Sequence, residues 1–240
     1  MDKIKIDQHI SQKYNEELEA VRNLVLAMGG IVEQMLTDAV RALVEGDVAL
    51  SEQVRATDRK VNDLELQIDD QCARVMARRQ PTAGDLRLLI ATIKIVNDLE
   101  RMGDQAEKVA VLAARLSTEQ PGAWGRQELG HVGQLVRRMV RDALDAYARH
   151  DAELAYAVTR DDRRVDAEYE ALTRQAITFM MEDPRTIRRS LDVLWSARAI
   201  ERIGDHAKNV AEFVVYLVKG EDIRHAPHAA ADGVDTPRIP

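Results

Sequence analysis

The chain is written twice. Leu99-Glu100-Arg101-Met102-Gly103-Asp104 returns 101 residues later as Ile200-Glu201-Arg202-Ile203-Gly204-Asp205. Gly46-Asp47 answers to His150-Asp151, and Asp58-Arg59-Lys60-Val61 to Asp162-Arg163-Arg164-Val165, both at a spacing of 104. Pro81 answers to Pro184 at 103. A spacing that drifts slowly, slipping at turns, is the trace of a tandem duplication. The fold must therefore be built from two homologous units, roughly 11–118 and 126–220. Residues 1–10 form a lead-in, 119–125 a linker and 221–240 a loose tail.

Each unit reads as three helices. Apolar residues recur at three- and four-residue steps through Leu18, Val21, Val25, Met28, Val32, Met35, Val40 and Leu43. Gly46 is a C-terminal stop, and Asp47 an N-cap for a second helix through Val54, Val61, Leu64, Ile68, Cys72 and Val75. Gln80-Pro81-Thr82 ends that helix, and Thr82 with Asp85 resembles a capping box for the third. Gln120-Pro121-Gly122 separates the units, and Asp183-Pro184 restarts a helix in the second. Short turns between helices of ~30 residues imply antiparallel neighbours. The expected fold is all-α, a tandem pair of antiparallel three-helix bundles with six long helices.

Composition agrees and excludes several roles. Hydrophobic residues make up 45% of the 240, yet only 4% are aromatic, so Ala, Leu, Val and Ile must form the core. A net charge of -7 argues against coating nucleic acid. A lone cysteine, Cys72, leaves no intrachain disulfide to form and suits the apolar stripe on which it falls. The N-terminus has no apolar signal region, and no stretch approaches the ~20 apolar residues that span a bilayer. A cytoplasmic protein is the expectation.

The repeated hexapeptide works against its own helix. Two carboxylates at i and i+4 share a face and cost a few tenths of a kcal/mol. A glycine in a helix interior costs about 1 kcal/mol more than alanine. Counting from the proline turns suggests the compensation. Asp58 lies 23 residues before Pro81, with Glu100 and Asp104 19 and 23 after it. Asp162 and Asp166 lie 22 and 18 before Pro184, with Glu201 and Asp205 17 and 21 after it. Antiparallel folding brings these acids to one height in each unit. Converging carboxylates in a partly buried seam need protons, arginine or lysine, or a metal. An oxygen-only set suits Mg, Mn, Ca or iron. The opposing reading, left open at this point, has Arg101, Arg202, Arg198 or Lys94 balance the charge, with the glycines serving close packing.

Asp58-Arg-Lys-Val-Asn62, Arg79-Gln-Pro-Thr-Ala-Gly-Asp-Leu-Arg87 and Leu99–Asp104 resemble the PhoU family of bacterial phosphate-signalling regulators. So do Met180-Met-Glu-Asp-Pro-Arg-Thr-Ile187 and Ile200-Glu-Arg-Ile-Gly-Asp-His-Ala-Lys-Asn209 in the second half. The likeness runs from about residue 5 to residue 225. It implies two three-helix bundles and acidic motifs that hold iron or another divalent ion such as Mn, Mg or Zn. Those motifs map onto Glu100/Asp104 and Glu201/Asp205, with Asp162/Asp166 and Asp58 on the facing helices. The first unit departs in having Asn62 where an acid is expected, and Lys108 where the second has Asn209. Both changes favour the second site.

The resemblance also implies a non-enzymatic regulator linking a phosphate ABC transporter, through its ATPase subunit, to a sensor histidine kinase. It implies a homodimer and, at most, peripheral membrane association through partners. Two other functions compete. A metal-free helical scaffold fits the arginine-balanced reading. A carboxylate-bridged di-iron enzyme needs a Glu-x-x-His pair from each of two helices. Only Glu128-Leu-Gly-His131 supplies one, away from the repeated acids.

Four further features carry alternatives. Arg74, Arg78, Arg79 and Arg87 crowd one turn, and Arg185, Arg188 and Arg189 its counterpart; they read as solvated helix ends or as a docking surface for an acidic partner. His206 is a candidate ligand beside Asp205, although adjacent residues on a helix diverge. His225 and His228 read as solvated tail residues. Met28-Gly29-Gly30 marks a kink or a close packing contact.

Overall fold

The computed structural model describes residues 2–79, 81–118 and 124–224, with side chains from residue 12 onward. Six α-helices follow in chain order: α1 (Asp2–Glu45), α2 (Val48–Arg79), α3 (Ala83–Thr118), α4 (Arg126–Arg149), α5 (Ala152–Glu182) and α6 (Ile187–Lys219). The tail histidines His225 and His228, Gln80 and the Gln120-Pro121-Gly122 break lie outside the described residues. The first helix runs back to Asp2, through the stretch expected as a lead-in.

Local chemistry sets the boundaries. Gly46 takes φ 75° after α1, and Asp47 then accepts from the Leu50 amide at 3.0 Å, as an N-cap does. The second unit repeats this with His150 at φ 52° and Asp151 accepting from the amides of Glu153 and Leu154. Two details differ from the sequence reading. Asp183 caps a single 3₁₀ turn, Pro184–Thr186, and α6 begins only at Ile187. Thr82 donates its hydroxyl to Asp85 at 2.7 Å rather than capping a backbone amide.

α1, α2 and α3 pack mutually as one bundle, and α4, α5 and α6 as the other. α2 buries one stripe, Val54, Val61, Ile68, Cys72 and Val75, because it meets neighbours on one side only. α3 and α6 are buried on two faces, since each also packs on the other. Every Val or Leu fully buried in this core contributes roughly 1.5–3 kcal/mol.

The bundles are joined in an inverted sense. α3 and α6 run antiparallel: Arg87 lies over Tyr216, Lys94 over Phe213, and Asp98 meets His206 and Asn209. α1 and α4 do likewise, with Arg22 donating to the Ala148 carbonyl, Arg141 to Glu33, and Gly133 backing on Val40. Equivalent helices crossing head to tail place the halves about a pseudo-two-fold axis. Gly29 presses against the Leu144 side chain, so it is a close packing contact inside an unbroken α1, whereas Gly30 faces open space. Among the described residues, no helix is long and apolar enough to cross a membrane.

Candidate metal centre

In the second bundle α5 supplies Asp162 and Asp166, one turn apart, and α6 supplies Glu201 and Asp205. Asp162 falls on the Val158–Val165 stripe and is 4% exposed; Glu201 is 6% exposed. One oxygen from each of Asp162, Asp166 and Asp205 lies within 4.8 Å of the others. Among the described residues this convergence of three acids is found here alone.

The site is half balanced by its own cations. Lys208 donates to Asp162 Oδ2 at 2.6 Å, and Arg198 pairs with Glu201 Oε1. Glu201 Oε2 is buried with no partner. Burial, then the neighbouring Asp205 carboxylate, pushes the Glu201 carboxyl up to about 7, despite Arg198. Burial and Asp162 raise Asp205, and burial and Asp162 raise Asp166. Glu201, Asp205 and Asp166 are each held partly dehydrated against like charge, which is what a divalent cation would relieve.

The first bundle is built differently. Asn62 donates to Asp58 Oδ2 at 3.1 Å, while Asp58 Oδ1 and Asn62 Oδ1 are buried without partners. Burial raises Asp58, with Glu107 and Asp104 adding to it, and burial with Asp104 and Glu65 raises Glu100. Glu65 and Glu107 belong to this cluster and carry no part of the repeated motif. Glu65 lies seven residues after Asp58, two turns along the same face, and that spacing is the signal in the sequence. Lys208 was likewise legible as the i+3 neighbour of Asp205.

Of the cations expected to balance the acids, Arg198 does so directly and Arg101 lowers Glu100 from nearby. Lys94 lies over the Phe213 ring and Arg202 is exposed. His206 faces Asp98 of the other bundle at 2.8 Å. Glu128 accepts from the Gly125 amide, and His131 lies 3.8 Å from Glu168, so the one Glu-x-x-His pair is engaged at the start of α4. Several arginines of the basic turns are occupied too: Arg79 forks onto Glu17, Arg74 pairs with Asp70 and Arg185 with Asp183.

Comparison with known proteins decides the family. The PhoU domain matches residues 25–113 and again 129–214, one copy per bundle. The chain belongs to the PhoU family. It is 52% identical over 225 residues to the phosphate-specific transport system accessory protein PhoU homolog of Pseudomonas putida, covering 94% of this chain and 88% of the relative. The Escherichia coli K12 protein of the same description, without the word homolog, is 44% identical over 225 residues, covering 94% and 93%. Among solved structures, PhoU from Pseudomonas aeruginosa superposes with a TM-score of 0.85 at 51% identity, over 87% of this chain and all of that one. The phosphate transport system regulatory protein PhoU from Streptococcus pneumoniae gives 0.80 at 30% identity, over 87% and 98%. The six helices of the described residues fit that PhoU architecture of two three-helix repeats.

Proposed function

We propose that this chain is a non-catalytic, cytoplasmic regulator of phosphate transport. It restrains uptake and the phosphate-starvation response by coupling the transporter's ATPase subunit to a sensor histidine kinase, and it acts as a homodimer. The observation that carries this reading is the match, over 94% of the chain, to relatives named as accessory proteins of the phosphate-specific transport system. The test is genetic. Deleting the gene in its own host should release phosphate-responsive promoters in phosphate-rich medium; promoters that stay repressed would defeat the reading.

The acidic clusters have a place in it. Asp162, Asp166, Glu201 and Asp205 would hold a divalent cation, and Asp58, Glu100 and Asp104 a second. An all-oxygen donor set with one buried, unpartnered carboxylate oxygen, Glu201 Oε2, supports iron, Mn or Mg over softer metals. Bound there, the cation would neutralise charge and tie α5 to α6. Elemental analysis of protein purified without chelator tests this part, because a metal-free scaffold would carry none.

A further inference from the structure

The cluster in the second bundle already contains a cation of its own. Lys208 follows Asp205 by three residues on α6, so both side chains project toward α5. Its Nζ sits 2.6 Å from Oδ2 of Asp162, the most buried of the three converging acids. Among the described residues of the first bundle no cation pairs with Asp58, and within that acidic cluster Arg55 reaches only Glu107, at 3.6 Å. The position corresponding to Lys208 is Glu107, which adds negative charge beside Asp58, and Asp58 receives only the neutral amide of Asn62.

Lys208 also has a second place to go. Glu212 lies one turn further along α6, half-buried, its carboxyl raised chiefly by burial and drawn back by Lys208 and Arg224. Arg224 belongs to the segment that follows α6, where it lies over Phe213 at 5.1 Å and pairs with Asp222. An ammonium on a flexible four-carbon stem can exchange between a carboxylate on the facing helix and one a turn along its own helix without backbone movement.

We propose that Lys208 is a tethered counter-ion competing with a divalent cation for Asp162, and that its release to Glu212 couples occupancy of the site to the segment after α6. This rests on the reading of Asp162, Asp166 and Asp205 as a divalent site. Loading the site requires Lys208 to leave Asp162. Affinity is therefore held below what the carboxylates alone would give, and the metal-free bundle keeps Asp162 neutralised. Among the described residues no cation competes for Asp58 in the first site.

The test is a Mn²⁺ titration, by calorimetry, of the full chain carrying Glu100→Gln and Asp104→Asn to silence the first cluster. Adding Lys208→Met should tighten Mn²⁺ binding at least tenfold and lower the melting temperature in chelator. Lys208→Arg, which keeps the charge, should bind as weakly as the parent. Glu212→Gln should weaken binding, since the displaced ammonium loses its second partner. Equal or weaker binding by the Lys208→Met variant would overturn the exchange while leaving the divalent site standing. Unchanged affinity in the Glu212→Gln variant would remove the coupling to the segment after α6. No Mn²⁺ binding by either parent or Lys208→Met protein would defeat the divalent-site reading and the exchange with it.

Discussion

Asp98 of α3 and His206 of α6 meet across the junction of the two bundles, Oδ1 to Nδ1 at 2.8 Å, each more than nine-tenths buried. Asn209 donates to the same oxygen at 3.0 Å. Their counterparts by duplication are Ala199, Gln105 and Lys108, which cannot form the same network, and Gln105 Oε1 is left buried without a partner. The contact thus occurs once at a junction otherwise related by pseudo-symmetry. Buried polar groups lose more when one partner is removed than the pair gains when formed. Replacing Asp98 with Ala should cost about 3 kcal/mol. His206→Ala in the same background should cost much less than alone, a non-additivity that a double-mutant cycle on urea unfolding would read. Additive losses would mean that the two residues do not act together.

Metal-free stability should fall as pH rises through the neutral range. Glu201 is raised from its ordinary value of 4.5 to about 7, so its folded-state proton is held more tightly than in the unfolded chain. The contribution is complete below about pH 4.5 and is lost as pH climbs through 7, by about 3 kcal/mol at most. Glu201→Gln should flatten this part of a denaturation series run in chelator between pH 5 and 8. An unchanged slope would place the ionisation elsewhere.

A divalent cation should reverse that trend, because it binds the ionised carboxylates and so stabilises the fold more at higher pH. With Mn²⁺ at a hundred times its dissociation constant, the gain is ~2.7 kcal/mol, seen as a rise in melting temperature. Asp162→Asn with Asp205→Asn should abolish most of the rise. Glu100→Gln with Asp104→Asn should abolish less, since among the described residues only the second bundle draws three acids within 4.8 Å.

The glycines of the repeated motif should differ from a third at the bundle junction. A methyl group at Gly204 would meet Val136, Val165 and Met139 no closer than 3.6 Å, which is ordinary contact. Gly204→Ala should therefore be neutral or stabilise by up to about 1 kcal/mol through helix propensity. At Gly103 the nearest atom, Val61 Cγ1, is at 3.3 Å, so the gain should shrink. At Gly133 both Val40 methyls lie 2.7 Å away, and alanine should destabilise by 1–3 kcal/mol. Thermal melts of the three variants would rank them; a destabilised Gly204→Ala would refute the packing account.

Much of this architecture could be read from residues alone. Gly46-Asp47 and His150-Asp151 marked equivalent turns, and counting from Pro81 and Pro184 set the acids at one height, as Asp162 and Asp205 then proved to be. The inverted crossing of the halves was not legible. Periodicity tells which residues of α3 are buried, and Ala91, Ile95, Asp98 and Met102 do form a second buried face. It does not tell that the neighbour on that face is α6 running the other way. Charge balance was hidden for the same reason. Lys208 was visible in the motif, but its choice of Asp162 depends on how α5 and α6 are rotated about their axes.

The head-to-tail meeting of α3 and α6 bears on stoichiometry. Asp98 opposite His206 sets Glu100 level with Asp205, and Asp104 with Glu201, to within about one helical turn. The two acidic seams therefore sit at one latitude on opposite flanks, under α2 and under α5, which touch only their own bundles. A direct repeat would have offered the same face twice in one direction. Here one polypeptide carries internally the two-fold relation that most proteins obtain by pairing identical subunits. A protein that recognises the α2 flank finds a diverged copy of it facing the opposite way, so a single chain presents two back-to-back, non-identical epitopes.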